Sequence, residues 1–195
     1  MPAARDPEAT KARIFAAATA EFAAHGIAGA RVDRIAREAK ANKQLLYAYF
    51  GNKAELFSQV LEACLTRLAA EVPVDAEDVD GWVERLMDYH AAHPELIRLI
   101  YWEGLEYGTE RFPHEEERRR HYDRKVAVFA EAQEKGLISA RIPPADLLFI
   151  MISMVSWSTV QPQMRRVLTG DTDEDRARLR SSVQEAARRI VRIDG

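Results

Sequence analysis

Apolar residues recur three and four positions apart along nearly the whole chain, and no stretch of four to eight residues alternates as a strand would. The pattern predicts an all-α fold. A first helix opens at "DPE", where Asp6 can cap, Pro7 suits the first turn and Glu8 complements the helix dipole. Its stripe of Ile14, Phe15, Ala18 and Phe22 stops at Gly26. Val32, Ile35, Ala36 and Ala39 mark a short second helix that "KAN" ends, and a short third helix over 43–50 stops at Gly51, a C-terminal cap. Asn52, with Glu55 three residues on, has the spacing of a capping box and opens a fourth helix with Leu56, Phe57, Val60, Leu61, Cys64, Leu65 and Leu68 on one face.

Pro73 and the acidic "DAEDVDG" then make 72–78 the clearest linker. Trp82, Val83, Leu86, Met87 and His90 form the next stripe, and "HPEL" restarts the chain into a nearly all-apolar helix over 96–105, ended by "GTERFP". In "HEEERRRHYDRKVAVFAEAQEKG", Tyr122, Val126 and Phe129 face inward, Gly136 terminates, and "EEERRR" reads as a solvated face. "IPPAD" opens a strongly apolar helix that reaches Pro162. A last helix follows "GDTDED", with Leu179, Val183, Ala186, Ile190 and Ile193 spaced 4, 3, 4 and 3, the narrow seam of a helix packed along a partner. Nine helices are predicted.

A chain of 195 residues with 47% hydrophobic content can build one or two modest domains. The single cysteine, Cys64, rules out an internal disulfide framework and fits a reducing cytoplasm as a small hydrophobe on a helix. The first dozen residues are polar and charged, so no export signal is expected. The longest apolar run, 147–160, carries three serines and a threonine and falls short of the roughly 18 to 20 residues of a spanning helix, so it is read as a buried helix. Net charge is −3, but residues 1–53 carry +4 and residues 54–195 carry −7. A basic head on an acidic body suggests a polyanion-facing module.

The head also has a matching shape. A helix, a link of four residues and a short helix over 32–50 have the dimensions of a helix-turn-helix, whose second helix enters the DNA major groove. A helix so short is marginal alone. Val32, Ile35, Ala36, Leu46 and Phe50 can anchor the pair, leaving Lys43, Gln44, Tyr47 and Tyr49 outward. Lysine can reach guanine O6 and N7 or a phosphate, glutamine can pair with adenine, and tyrosine can bond a phosphate or touch a thymine methyl.

"RVDRIAREAKANKQLLYAYFGNKAELF" resembles the DNA-binding signature of the TetR family of transcriptional regulators, with "IAREA", "LYAYF" and "NKAELF" in register. The resemblance covers about residues 7 to 60. It implies that Lys43, Gln44 and Tyr47 face base edges or nearby backbone, that Arg31, Tyr49 and Lys53 grip phosphate, and that Leu46 and Phe50 are core. Three positions depart from the family pattern. Lys40 stands where a glycine usually takes the turn, which costs on the order of 1 kcal/mol if φ is positive. Arg31 replaces a capping threonine, exchanging a cap for a cation. Leu45 replaces a small or hydroxyl residue, so that one backbone hydrogen bond is lost or replaced by an apolar contact.

Beyond the head the residues alone must speak. Trp82, Met87, His90, Trp102, Tyr107, Phe129, Met151, Met154 and Trp157 are candidates to line an apolar cavity for a small-molecule effector, or else are core. The helices over 144–161 and 172–192 have more apolar surface than one bundle covers, which favours a two-fold four-helix homodimer. The resemblance implies the same dimer, presenting two recognition helices to a pseudo-palindromic double-stranded DNA operator. The expected organisation is a three-helix helix-turn-helix domain over 1–53 and a helical ligand-binding and dimerisation domain over 54–195. The chain lacks H-E-x-x-H, C-x-x-C, paired Glu-x-x-His, a glycine-rich phosphate loop and a nucleophile elbow, so no catalytic residue, metal site or cofactor is expected. A ligand-responsive repressor is the leading reading. A helical small-molecule-binding or interaction protein with a vestigial head is the alternative.

Overall fold

The computed structural model describes residues 7–193, so the expected cap at Asp6 lies outside the described residues. These residues form ten helices: α1 (Pro7–Gly29), α2 (Val32–Glu38), α3 (Lys43–Phe50), α4 (Lys53–Glu71), α5 (Val79–Ala92), α6 (Pro94–Tyr107), α7 (Glu115–Glu134), α8 (Pro144–Val160), α9 (Pro162–Thr169) and α10 (Asp173–Val191). The expected nine omits α9. Gln161 leaves helical geometry at φ −114° and ψ 62°, and Pro162 begins a new helix, where its missing N–H costs nothing. Among the described residues no helix is long and apolar enough to cross a membrane.

The helices divide into two compact units. The first runs to Arg67 and includes Glu95–Glu115, so it holds α1 to α3, most of α4 and nearly all of α6. Its core is aromatic: Phe22 meets Phe57 and Phe15 meets Phe50 edge-on, each pair at 5.2 Å between ring centres. Ile14, Ala18, Ile35, Leu46 and Leu61 fill the space around them. Each ring pair adds about 0.5–1.5 kcal/mol beyond its buried area. Asn52 accepts from the Glu55 backbone at 3.0 Å, which gives the side-chain cap of the expected capping box but not its reciprocal half. The Glu55 carboxylate meets His114 at 2.8 Å.

Gly26 interrupts α1, at φ 68° and ψ −177°, and one further turn reaches Gly29. A Cβ at this position would lie 2.7 Å from the Trp102 ring, so glycine is required both by the dihedral and by the close approach of α6. Arg98 and Trp102, also on α6, donate to the Ala23 carbonyl at 2.6 and 3.2 Å. The kink in α1 is therefore clasped by two side chains from a helix more than seventy residues away.

The second unit comprises Leu68–Pro94 and everything from Glu116 onward. Trp82 packs edge-on to Phe129 at 5.7 Å, with Val83, Leu86, Leu147, Leu148, Met151 and Val155 buried in the same unit. α10 lies along α5 through Arg180 to Asp88 and Arg188 to Asp80, each at 2.6 Å. Such exposed pairs are screened by solvent and add little, and α10 buries only Ala187 fully, so much of its seam stays half-exposed.

Candidate nucleic-acid interface

The joint between α2 and α3 is built almost entirely from backbone and core. Ala41 N–H donates to the Ala36 carbonyl at 2.9 Å and Lys40 N–H to the Arg37 carbonyl at 3.1 Å, the paired bonds of a left-handed helix stop. Lys40 occupies the left-handed position at φ 52°, so the strain expected of a non-glycine there is present. Asn42 then caps α3 by accepting from Leu45 N–H at 2.7 Å. Leu46 and Phe50 are buried, and their burial fixes which face of α3 meets solvent.

That solvent face carries Lys43, Gln44, Tyr47 and Tyr49, with Tyr47 49% and Tyr49 38% exposed. Large aromatic side chains so open to water are candidates for contact with something else. Lys43 forms an ion pair with Asp33 in the first turn of α2. Arg31 sits at the N-cap of α2 in extended geometry and its side chain makes no capping bond, as its replacement of threonine predicts. The side chain is exposed, two residues before Asp33, the partner of Lys43 on α3. Lys53 is placed differently. Its ammonium is half-buried and donates to the Ala28 and Ala30 carbonyls at 3.2 and 3.4 Å, at the end of α1.

Two residues absent from the sequence reading hold this joint in place. Glu21, buried on α1, accepts from Arg31 N–H at 2.8 Å and from Arg34 Nε at 2.8 and 2.9 Å. Burial raises the carboxyl pKa, but the Arg34 and Arg31 hydrogen bonds outweigh it and hold Glu21 below its ordinary range. The signal was present: Glu21 follows Ile14 and Ala18 on the apolar stripe of α1, an unusual place for an unpaired acid.

The nine candidate pocket residues do not all come together. Trp82, His90, Phe129 and Met151 are buried in the second unit, Met87 and Met154 are half-buried there, and Trp157 is exposed. Trp102 and Tyr107 belong to the first unit, where Trp102 clasps α1 and Tyr107 approaches Phe112 with ring centres 6.3 Å apart. His90 is the unusual member. It is 2% exposed, and its Nδ1 is buried with no hydrogen-bond partner. Burial, helped by the Lys125 charge, pushes its pKa down to about 4, so the ring is neutral near pH 7.

Residues 14–60 match the family model of bacterial regulatory proteins of the tetR family, and residues 78–189 match that of the tetracyclin repressor-like C-terminal domain. The chain is 62% identical over 189 residues to the HTH-type transcriptional repressor SCO4008 of Streptomyces coelicolor, spanning 97% of this chain and 98% of that protein. It is 34% identical to SCO4942 of the same organism, described as a transcriptional regulator, with a TM-score of 0.76 over 91% of this chain and 97% of that one. The fatty acid degradation regulator FadR of Bacillus halodurans shares the fold, with a TM-score of 0.69 over 94% and 96% of the two chains at 19% identity.

Proposed function

The chain belongs to the tetR family of bacterial regulatory proteins, and on that premise we propose that it binds a pseudo-palindromic operator as a two-fold dimer and releases it when a small molecule binds. It is a DNA-binding transcriptional repressor, and its relatives are regulators rather than enzymes. The observation that carries the reading is the face of α3, where polar and aromatic tips stand in water on a helix anchored by Leu46 and Phe50. In the proposed complex Lys43, Gln44 and Tyr47 meet base edges, while Arg31 and Tyr49 bond phosphates. Lys53 reaches a phosphate only by leaving the end of α1, so its first role is to hold that end. The DNA-reading head is residues 1–53, and 54–195 senses the effector and dimerises.

The dimer reading is favoured by apolar side chains left in water. Phe149 and Trp157 stand 74% and 48% exposed two turns apart on α8, and Met164, Val167 and Leu168 are exposed on α9. Covering these with the same face of a second copy, together with the seam of α10, gives an isologous interface over 144–161 and 172–192 extended by α9. It would set two recognition helices about 34–36 Å apart, one helical turn of DNA. An effector-binding site in the second unit is favoured by His90, whose buried Nδ1 has no hydrogen-bond partner in the protein and can bond a ligand. An effector that prefers a different head spacing weakens DNA binding by linkage. The site of action is the cytoplasm, where the operator lies.

The test is binding of the purified protein to DNA upstream of its own gene at two salt concentrations. Tight binding that weakens steeply with salt, and is lost in Tyr47→Ala, is expected. Binding no tighter than to unrelated DNA would leave the sensor-only reading in its place.

A further inference from the structure

We propose that Asp33 is a specificity-determining residue, reading a G·C base pair in the operator jointly with Lys43. The inference rests on the proposed placement of α3 in the major groove. Asp33 lies in the first turn of α2 and Lys43 is the first residue of α3, and their side chains form an ion pair, each about half exposed. The pair therefore sits at the N-terminal end of the recognition helix, the end that reaches base edges in helix-turn-helix complexes.

A carboxylate in this position needs a partner. Phosphates repel it, and the donors that a major groove offers are the amino groups of cytosine N4 and adenine N6. Lys43 needs acceptors, and guanine offers two adjacent ones in O6 and N7. Because the two side chains are already in contact, the groups they meet must also be neighbours. A G·C pair fulfils this, with Lys43 donating to guanine and Asp33 accepting from cytosine N4. An A·T pair fits less well: its two acceptors, adenine N7 and thymine O4, lie on either side of the N6 amino group, so Lys43 meets one acceptor where guanine offers two adjacent ones, and the thymine methyl occupies the edge of the pair. In the free protein the same ion pair keeps Lys43 oriented and neutralises Asp33, so the carboxylate is carried to DNA without an unpaired charge.

The experiment selects binding sites for the full-length protein from a library of randomised half-sites, using wild type, Asp33→Ala and Lys43→Ala. Wild type should require a G·C pair at one position of each half-site. Asp33→Ala should relax that position by tenfold or more while binding random DNA more tightly at equal salt. Lys43→Ala should relax the same position. Asp33→Ala retaining every wild-type preference, or relaxing a position that Lys43→Ala leaves intact, overturns the inference while the repressor reading stands. Wild type enriching no sequence overturns both. Equal melting temperatures for the three proteins, expected for an exposed pair, exclude misfolding as the cause.

Discussion

The two units both pair aromatic rings inside and differ in the faces they leave in water. In the first, aromatic rings such as Phe22, Phe57, Phe15 and Phe50 pair inside, and the long side chains reaching water on α3, Lys43, Gln44, Tyr47 and Tyr49, carry polar tips. In the second, Phe149, Trp157, Val167 and Leu168 stand outward, while a histidine with an unpartnered nitrogen lies inside. The first unit is arranged to meet a wet, charged surface without further folding. In the second, the proposed function has a second copy covering the outer stripe and a ligand meeting the inner nitrogen.

The contrast breaks most visibly at α8. Replacing Phe149 and Trp157 together by aspartate should give a folded monomer in sedimentation and cost about 10²- to 10⁴-fold in operator affinity, because two half-sites no longer bind as one. Retention of the dimer would show that the exposed stripe is not its interface.

Within the first unit, Gly26→Ala should destabilise by about 2–4 kcal/mol, since it demands φ 68° of an alanine and drives its Cβ against Trp102. Thermal unfolding reports this directly. Trp102→Ala combined with Gly26→Ala should recover the steric part of the loss and not the dihedral part.

His90 sharpens the inner half of the contrast. The unfolded chain takes up its proton near the ordinary imidazole value of 6.5 and the folded chain only near 4. The folded pKa is depressed, so this group's stability contribution is present at pH 7 and is lost as pH falls from 6.5 to 4. The loss approaches about 3 kcal/mol, and urea unfolding of wild type against His90→Leu over this window should show it missing in the variant. The smallest effect belongs to Lys40→Gly, which relieves φ 52° and should stabilise by about 1 kcal/mol in the same assay.

Local features of the sequence were legible where one physical cause dominates. The strain at Lys40, the missing side-chain cap at Arg31 and the cap at Asn52 follow from residue types at fixed offsets, and the structure has all three. Pro162 was ambiguous because the residue that stops one helix is also a favoured first residue of another. Trp102 was read as a pocket candidate because nothing near it in sequence reveals Ala23, 79 positions earlier, as its hydrogen-bond partner. The Asp33 to Lys43 pair was hidden for a similar reason: it forms across the turn, and only the angle between α2 and α3 brings its ends together.

The central claim is that the head, and not the body, carries the contacts to DNA phosphates. It is tested most directly by the salt dependence of operator binding for wild type, Arg31→Ala and Lys135→Ala. Arg31 is the exposed N-cap of α2, and Lys135 is an exposed lysine of the second unit paired with Glu131. Arg31→Ala should lower the slope of log affinity against log salt by about one, and Lys135→Ala should leave it unchanged. Equal slopes for all three proteins, or a loss confined to Lys135→Ala, would contradict it.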